Sequence, residues 1–397
     1  MKPTPYDPQT YRILDPGRGS RRLIFLGGAA LALSTVGLAV DRAQFFHSYL
    51  TAIVFWITIA LGGLFFILLH HLAGSVWSVV IRRIVENIML LLPFLGILFI
   101  PVFFGVGDLY EWTDKNIVAQ DHILQWKASY LNVGFFIVRT IIYFLIWTAL
   151  GYRLYRLSRQ QDEGQTEHFH TRMRKTSAPG MILFAFTITF AAFDWLMSLD
   201  AHWYSTIFGV YIFTGTFLAI LSFMVLYLRG LQSKGILGAS VTVEHYHDIG
   251  KLLFAFTVFW AYISGSQYFL IWYGNIPEET IWFLHRWKGS WKIVSLGLVV
   301  SHFTIPFFVL LFRSAKRHPV ALGSMAGLIL LMHWFDLYWL VQPNLHTEGA
   351  RFSWMDLSTT IGLGGLLLGW LWHRLCQQPL VPIKDPRLQQ SIEFINA

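Results

Sequence analysis

Ten apolar runs fill this chain: Leu23–Val40, Ser48–His71, Ile84–Val106, Leu131–Leu154, Ala178–Leu199, Tyr204–Leu228, Ile249–Tyr273, Trp291–Phe312, Val320–Val341 and Met355–His373. A helix needs about 20 mostly apolar residues to cross a bilayer. Inside hydrocarbon every backbone amide must be satisfied within the chain, so only helices and closed barrels can span. A barrel strand alternates apolar and polar side chains, and these runs do not alternate. The expected fold is therefore all-α, a polytopic membrane protein of about ten transmembrane helices.

Composition agrees with that constraint. Charged residues make up 13% of the chain, where a soluble domain carries roughly 25%. The 17 Trp and 34 Phe suit a bilayer, where amphipathic rings gather at the headgroup level. The first run lacks an Ala-x-Ala cleavage site and is long enough to span, so it reads as a retained helix rather than a signal peptide. One cysteine, Cys376, excludes an internal disulfide, a thiolate zinc site and an iron–sulfur cluster held by this chain alone.

Charge placement gives an orientation. Of the 30 Lys and Arg residues, 21 fall in the two tails and the even-numbered loops, among them Arg21, Arg82, Arg153, Arg172, Lys175 and Arg317. Seven fall in the odd-numbered loops. The positive-inside rule then puts both termini in the cytoplasm, with the chain expected in an inner membrane. The expected divisions are a cytoplasmic amino-terminal tail (1–22), a membrane domain (23–373) and a cytoplasmic carboxyl-terminal tail (374–397). The far-side loops are 108–130, 200–203, 274–290 and 342–354. The net charge of +8 is topogenic in this reading and does not point to nucleic acid.

A weak internal repeat is visible. His47-Ser48-Tyr49-Leu50-Thr51 before helix 2 matches His202-Trp203-Tyr204-Ser205-Thr206 before helix 6. Phe193-Asp194-Trp195 at the end of helix 5 matches Phe335-Asp336-Leu337 near the end of helix 9. Both matches are four helices apart, which predicts two parallel four-helix bundles, helices 2–5 (about 47–199) and 6–9 (about 202–341), flanked by helices 1 and 10. Those flanking helices carry small residues, Gly27, Gly28, Gly362, Gly364, Gly365 and Gly369. Small residues let helices approach closely, either within the chain or against a neighbouring subunit.

Ionisable groups inside a span are costly, about 2.5–3.5 kcal/mol on insertion scales, and each is a functional candidate. Asp194, Asp336 and Arg139 lie in the outer half, and His302 and His333 near mid-membrane. Glu86, Asp248 and Lys251 lie at inner helix ends, with His70, His71, His245 and His247 at the cytoplasmic mouth. Together they form a discontinuous ladder of groups able to exchange protons, with Thr257 and Tyr262 as possible bridges. Each also has a structural reading: ion pairing for the acids, satisfied core histidines, snorkelling for Glu86 and Lys251. No catalytic cluster and no metal cluster is expected. A single b heme on His302 and His333 is the weaker alternative, and there is no Cys-x-x-Cys-His for covalent heme.

Four long strings carry a resemblance: Phe193–Thr206 (FDWLMSLDAHWYST), Lys251–Tyr262 (KLLFAFTVFWAY), Ile271–Thr280 (IWYGNIPEET) and Trp334–Trp339 (WFDLYW). They resemble the ActF-type membrane subunit of bacterial alternative complex III, within the NrfD-like (polysulfide-reductase membrane subunit) group. The resemblance covers roughly helices 2–9. It implies a subunit of a quinol:electron-acceptor oxidoreductase that oxidises menaquinol. It also implies partners: a second NrfD-like subunit, an iron–sulfur subunit and c-heme subunits, and a terminal oxidase as a further neighbour. This chain would bind no cofactor of its own, with heme and iron–sulfur clusters in the partners and menaquinone or menaquinol a candidate ligand. If quinol binds here, Asp194, Asp336 and His202 are the polar groups expected at its headgroup. A purely structural anchor and a secondary transporter remain the alternatives.

Overall fold

The computed structural model describes residues 11–13, 17–164, 168–238 and 240–396. Most of the amino-terminal tail expectation (1–22) falls on residues 1–10 and 14–16, outside the described ones. Every regular element among the described residues is a helix. Among the described residues, nine helices are long and apolar enough to cross a membrane: α1 (Arg18–Val40), α2 (Arg42–Ala73), α3 (Val79–Phe104), α4 (Val133–Glu163), α5 (Phe169–Leu199), α6 (Phe208–Gln232), α7 (Val243–Gly274), α8 (Trp291–Leu311) and α9 (Pro319–Asn344). A further helix, α10 (Trp354–Cys376), is of similar length but carries more polar residues at its ends. The helix ends are named outer and inner here after the charge count above.

Local sequence explains where the helices begin and break. Asp41 caps α2 by accepting from the Gln44 amide at 3.0 Å, and Asn132 caps α4 through the Phe135 amide at 2.9 Å. Ser353 and Asp356 form a reciprocal capping box on α10. Gly74 ends α2 in the left-handed region, at φ 62°. Pro93 and Pro101 fall at the two breaks in α3, each just inside the start of a new helical segment. In α8, Pro306 cannot donate to the turn before it, and the preceding Val299–Thr304 widens into a π-helical turn that carries His302.

α2 is the central helix, buried along most of its length. It packs on α3, α5, α6, α9 and α10. α4 touches α3 and α5; α7 touches α6 and α8; α9 touches α6 and α8. α1 lies along α10. A β-carbon on Gly27 would stand 2.6 Å from the Leu366 amide, and one on Gly365 would stand 2.6 Å from the Gly27 α-carbon. The small faces of α1 and α10 therefore meet each other within the chain. The opposite face of α1, with Phe25, Leu26 and Val40, is exposed, as a lipid-facing surface would be.

Two sequence expectations change in detail. His47 lies inside α2, buried, with its Nδ1 donating to the Ala43 carbonyl at 2.8 Å, whereas His202 lies in the turn before α6. The shared His-x-Tyr-x-Thr string thus does not mark equivalent helix starts, because the outer turn before α6 is longer. The carboxyl-terminal segment is not a free tail. Leu380 donates to Tyr11 at 2.8 Å, Ser391 bridges the Trp77 carbonyl and the Val80 amide, and Asn396 reaches Glu244 and Lys251. It straps the inner ends of α3, α4 and α7.

Candidate functional site

The two intramembrane aspartates sit in different electrostatic settings. Asp194, fully buried at the outer end of α5, faces Arg139 of α4. The guanidinium donates from Nε to Oδ2 at 2.8 Å and from Nη2 to Oδ1 at 2.9 Å, and the Tyr143 hydroxyl donates to Oδ2 at 2.7 Å. Arg139 also donates to the Tyr130 carbonyl at 2.9 Å, and it lies 3.8 Å from the Tyr130 ring centre and 4.2 Å from that of Phe135. Such a bidentate, stacked arginine is the strong form of ion pair. Both carboxylate oxygens of Asp194 are occupied by a fixed cation and a phenol.

Asp336 on α9 is equally buried but meets no cation among the described residues. Its Oδ1 accepts from the Tyr211 hydroxyl of α6, and its Oδ2 accepts from the Trp260 indole of α7 at 3.2 Å. Two neutral donors hold it. This acid can carry a proton without breaking an ion pair, which Asp194 cannot.

Two buried histidines lie on α9 and α8. His333 lies one helical turn from Asp336 on α9. Its Nε2 is 2.9 Å from the Thr58 hydroxyl of α2, and that hydroxyl donates its single proton to the Phe55 carbonyl at 2.7 Å. Nε2 of His333 must therefore be the donor. Its Nδ1 is left as a bare lone pair with no partner. Gly215 of α6 makes room for it: a β-carbon there would stand 2.9 Å from the ring. His302 of α8 stacks on Trp260, ring centres 4.2 Å apart, and neither of its nitrogens has a hydrogen-bond partner. The π-helical turn presents this ring to the interior. His333 thus shares α9 with Asp336, and the Trp260 indole that bonds Asp336 stacks on His302 of α8.

The inner rungs are tied down. Glu86 of α3 lies between Arg82 and Arg83, each 3.3 Å away. Arg82 reaches on to Asp385 at 2.7 Å and Arg83 to Asp162 at 2.5 Å. Asp385 belongs to the carboxyl-terminal strap. Burial alone would push its carboxyl up, but the hydrogen bond from His170, with the charges of Arg82 and His170, holds it well below the usual carboxylate range. Asp248 pairs with Lys251, which also donates to Asn396 at 2.8 Å. Nε2 of His245 must donate to the Ser391 carbonyl at 2.9 Å, so its Nδ1 accepts from the Thr242 amide at 3.0 Å. His70 donates to the Phe66 carbonyl at 2.7 Å and stacks on that ring. His71 and His247 are buried, each with one nitrogen unpartnered. The inner histidines, expected at the cytoplasmic mouth, are mostly covered by protein.

His202 stands apart from both aspartates. Its Nε2 is 2.6 Å from Asp121 Oδ2, in the loop before α4. The Leu124 amide first, and then His202, hold the Asp121 carboxyl below its ordinary value. Asp194, Asp336 and His202 each bond to a different set of partners and form no common headgroup site. Of the two bridging candidates, Thr257 donates to the Leu253 carbonyl at 2.8 Å, whereas Tyr262 is exposed.

The sequence missed several partners. Tyr211, Trp260 and Tyr143 bond the aspartates, but nothing distinguishes them in a chain with 16 Tyr and 17 Trp. A further buried aspartate, Asp356, accepts from Ser48 at 2.5 Å and from Gln342 at 3.2 Å, joining α10 to α2 and α9 without a cation. Arg286, just after the short outer helix Pro277–His285, is buried with its guanidinium 3.6 Å from the Trp282 ring centre. It donates to the Trp339 and Leu340 carbonyls at 3.2 and 3.0 Å.

No family model matches this chain, and no curated protein matches it in sequence. Fold and composition define its class: an all-helical protein with many apolar helices, as expected of a multi-pass membrane protein.

Proposed function

We propose that this chain is an integral membrane subunit of a respiratory quinol-oxidising complex of the alternative complex III type, and that it contributes a transmembrane proton path linked to menaquinol oxidation. The observation that carries this reading is the interior cluster of Asp336, His333 and His302. It holds one acid without a cation and two imidazoles with unpartnered nitrogens. Such groups accept and return protons at little structural cost. No hydrogen bond joins the three directly, so protons would pass between them on water. The resemblance of the four strings to NrfD-like subunits supports the redox context.

In this reading α1 to α10 all span a bacterial inner membrane, with both termini cytoplasmic. In the same reading the helices form two four-helix groups, α2–α5 and α6–α9, flanked by α1 and α10; the contacts of α4 with α3 and α5, and of α7 and α9 with α6 and α8, support it, with α2 touching both groups. The groups differ in use. The first holds its aspartate in an ion pair and serves as framework; the second carries the exchangeable acid. The partners are a second NrfD-like subunit, an iron–sulfur subunit and c-heme subunits, and those subunits carry the redox cofactors.

A second reading, a purely structural anchor, is favoured by one observation: the Arg139–Asp194, Arg82–Asp385 and Arg83–Asp162 pairs each tie two segments of the chain together. Purification of a tagged chain in mild detergent, with every co-purifying protein identified by mass spectrometry, tests the assignment. Recovery with iron–sulfur, multiheme and second NrfD-like subunits is expected. A lone, stable chain would overturn it and bring transport forward.

A further inference from the structure

We propose that a cleft between the inner ends of α6 and α9 binds the phosphodiester headgroup of one anionic phospholipid. The cleft has a volume of about 400 Å³ and is lined by Leu226, Arg229, Gly230, Ser233, Val320, Gly323 and Ser324. Arg229 is its only charged lining residue. One of its Nη1 hydrogens goes to the Pro319 carbonyl, and it meets no carboxylate among the described residues. A guanidinium has five N–H donors in a planar fork suited to phosphate, so most of them remain for a ligand. Ser324 is exposed on the facing wall.

Three features favour a lipid over a free anion. The lips of the cleft, Leu226 and Val320, are 37% and 60% exposed, placed to meet glycerol and the first methylenes of acyl chains. Gly323 gives the Arg229 guanidinium its place in the cleft: a β-carbon there would collide with it. The site also lies at the end of the bundle where the basic loops collect, the side on which anionic headgroups gather and where basic pockets between helices hold them. Arg229 thus has a ligand supplied by the membrane itself, in place of the acidic partner that Arg139 has in Asp194.

The experiment counts phospholipids on the purified complex. The intact assembly, extracted in mild detergent from membranes containing phosphatidylglycerol, is analysed by native mass spectrometry. The wild type is expected to retain one more anionic lipid per chain than Arg229→Gln, and one more than Gly323→Leu, which keeps the arginine but fills the cleft. An unchanged lipid count in both assembled variants would overturn the proposal. Wild-type complex in phosphatidylcholine nanodiscs provides a measurement independent of variant folding. Phosphatidylglycerol should raise its melting temperature saturably, whereas inorganic phosphate should not. Equal stabilisation by inorganic phosphate would overturn the lipid assignment, as would no stabilisation by phosphatidylglycerol. None of these outcomes depends on whether the chain conducts protons.

Discussion

Arg139 on α4 grips Asp194 on α5 through two parallel hydrogen bonds of 2.8 and 2.9 Å, with both residues buried. The pair joins neighbouring helices at their outer ends and leaves neither charge free. Its counterpart at Asp336 is a pair of neutral donors, Tyr211 and Trp260.

Breaking the Arg139–Asp194 pair on one side should be costly. Arg139→Met leaves a buried carboxylate with only Tyr143 to hold it, and loss of one partner of a buried pair costs about 3–5 kcal/mol. Thermal melting of the purified protein should fall markedly. The double variant Arg139→Met, Asp194→Leu should recover much of the loss, since no charge is then stranded. A double variant as unstable as the single one would show that the pair's contribution is more than charge compensation.

The carboxyl-terminal strap should loosen in acid. The native Asp385 carboxyl lies below its unfolded value, which is near 3.9. Its stabilising contribution is therefore fully present above that unfolded value. The contribution is lost as pH falls from there toward the depressed native value. Protease cleavage in the segment after Cys376 should be slow at neutral pH and accelerate below about pH 4. Asp385→Asn should make cleavage fast at all pH values. An Asp385→Asn strap as resistant as the wild type would show that this network does not hold it.

The close contact of α1 with α10 is directly testable, because the only native cysteine is Cys376. The Ser34 hydroxyl lies 2.8 Å from that of Ser358, so Ser34→Cys with Ser358→Cys should form a disulfide under mild oxidation. Adding Gly365→Leu should abolish it, because even a β-carbon there would stand 2.6 Å from the Gly27 α-carbon. Persistent cross-linking would mean that α1 and α10 tolerate separation.

Much of this was legible in the sequence, and the part that was not has physical causes. The apolar runs marked the long helices because lipid imposes one length and one composition. Asp194, Asp336, Arg139 and both mid-membrane histidines stood out because charges are rare in such runs. Asp356 did not, since an acid in the first turn of a helix reads as a cap, and it does act as one. Tyr211 and Trp260 were hidden among many aromatics, and only packing shows which of them turn inward. The strap was illegible because its polar, proline-containing sequence looks like a tail; its order comes from contacts with Arg82, Trp77, Val80 and His245, all distant in the chain.

The central claim is that Asp336 carries protons while Asp194 does not. The direct test is proton movement coupled to quinol oxidation in the reconstituted complex, compared between Asp336→Asn and the wild type. Asparagine keeps the shape: its Oδ1 can accept from the Trp260 indole while its Nδ2 donates to the Tyr211 hydroxyl oxygen, so assembly should survive. The account predicts intact electron transfer with proton movement reduced to the uncoupled background. Wild-type coupling in an assembled Asp336→Asn complex would contradict it and leave the chain as an anchor.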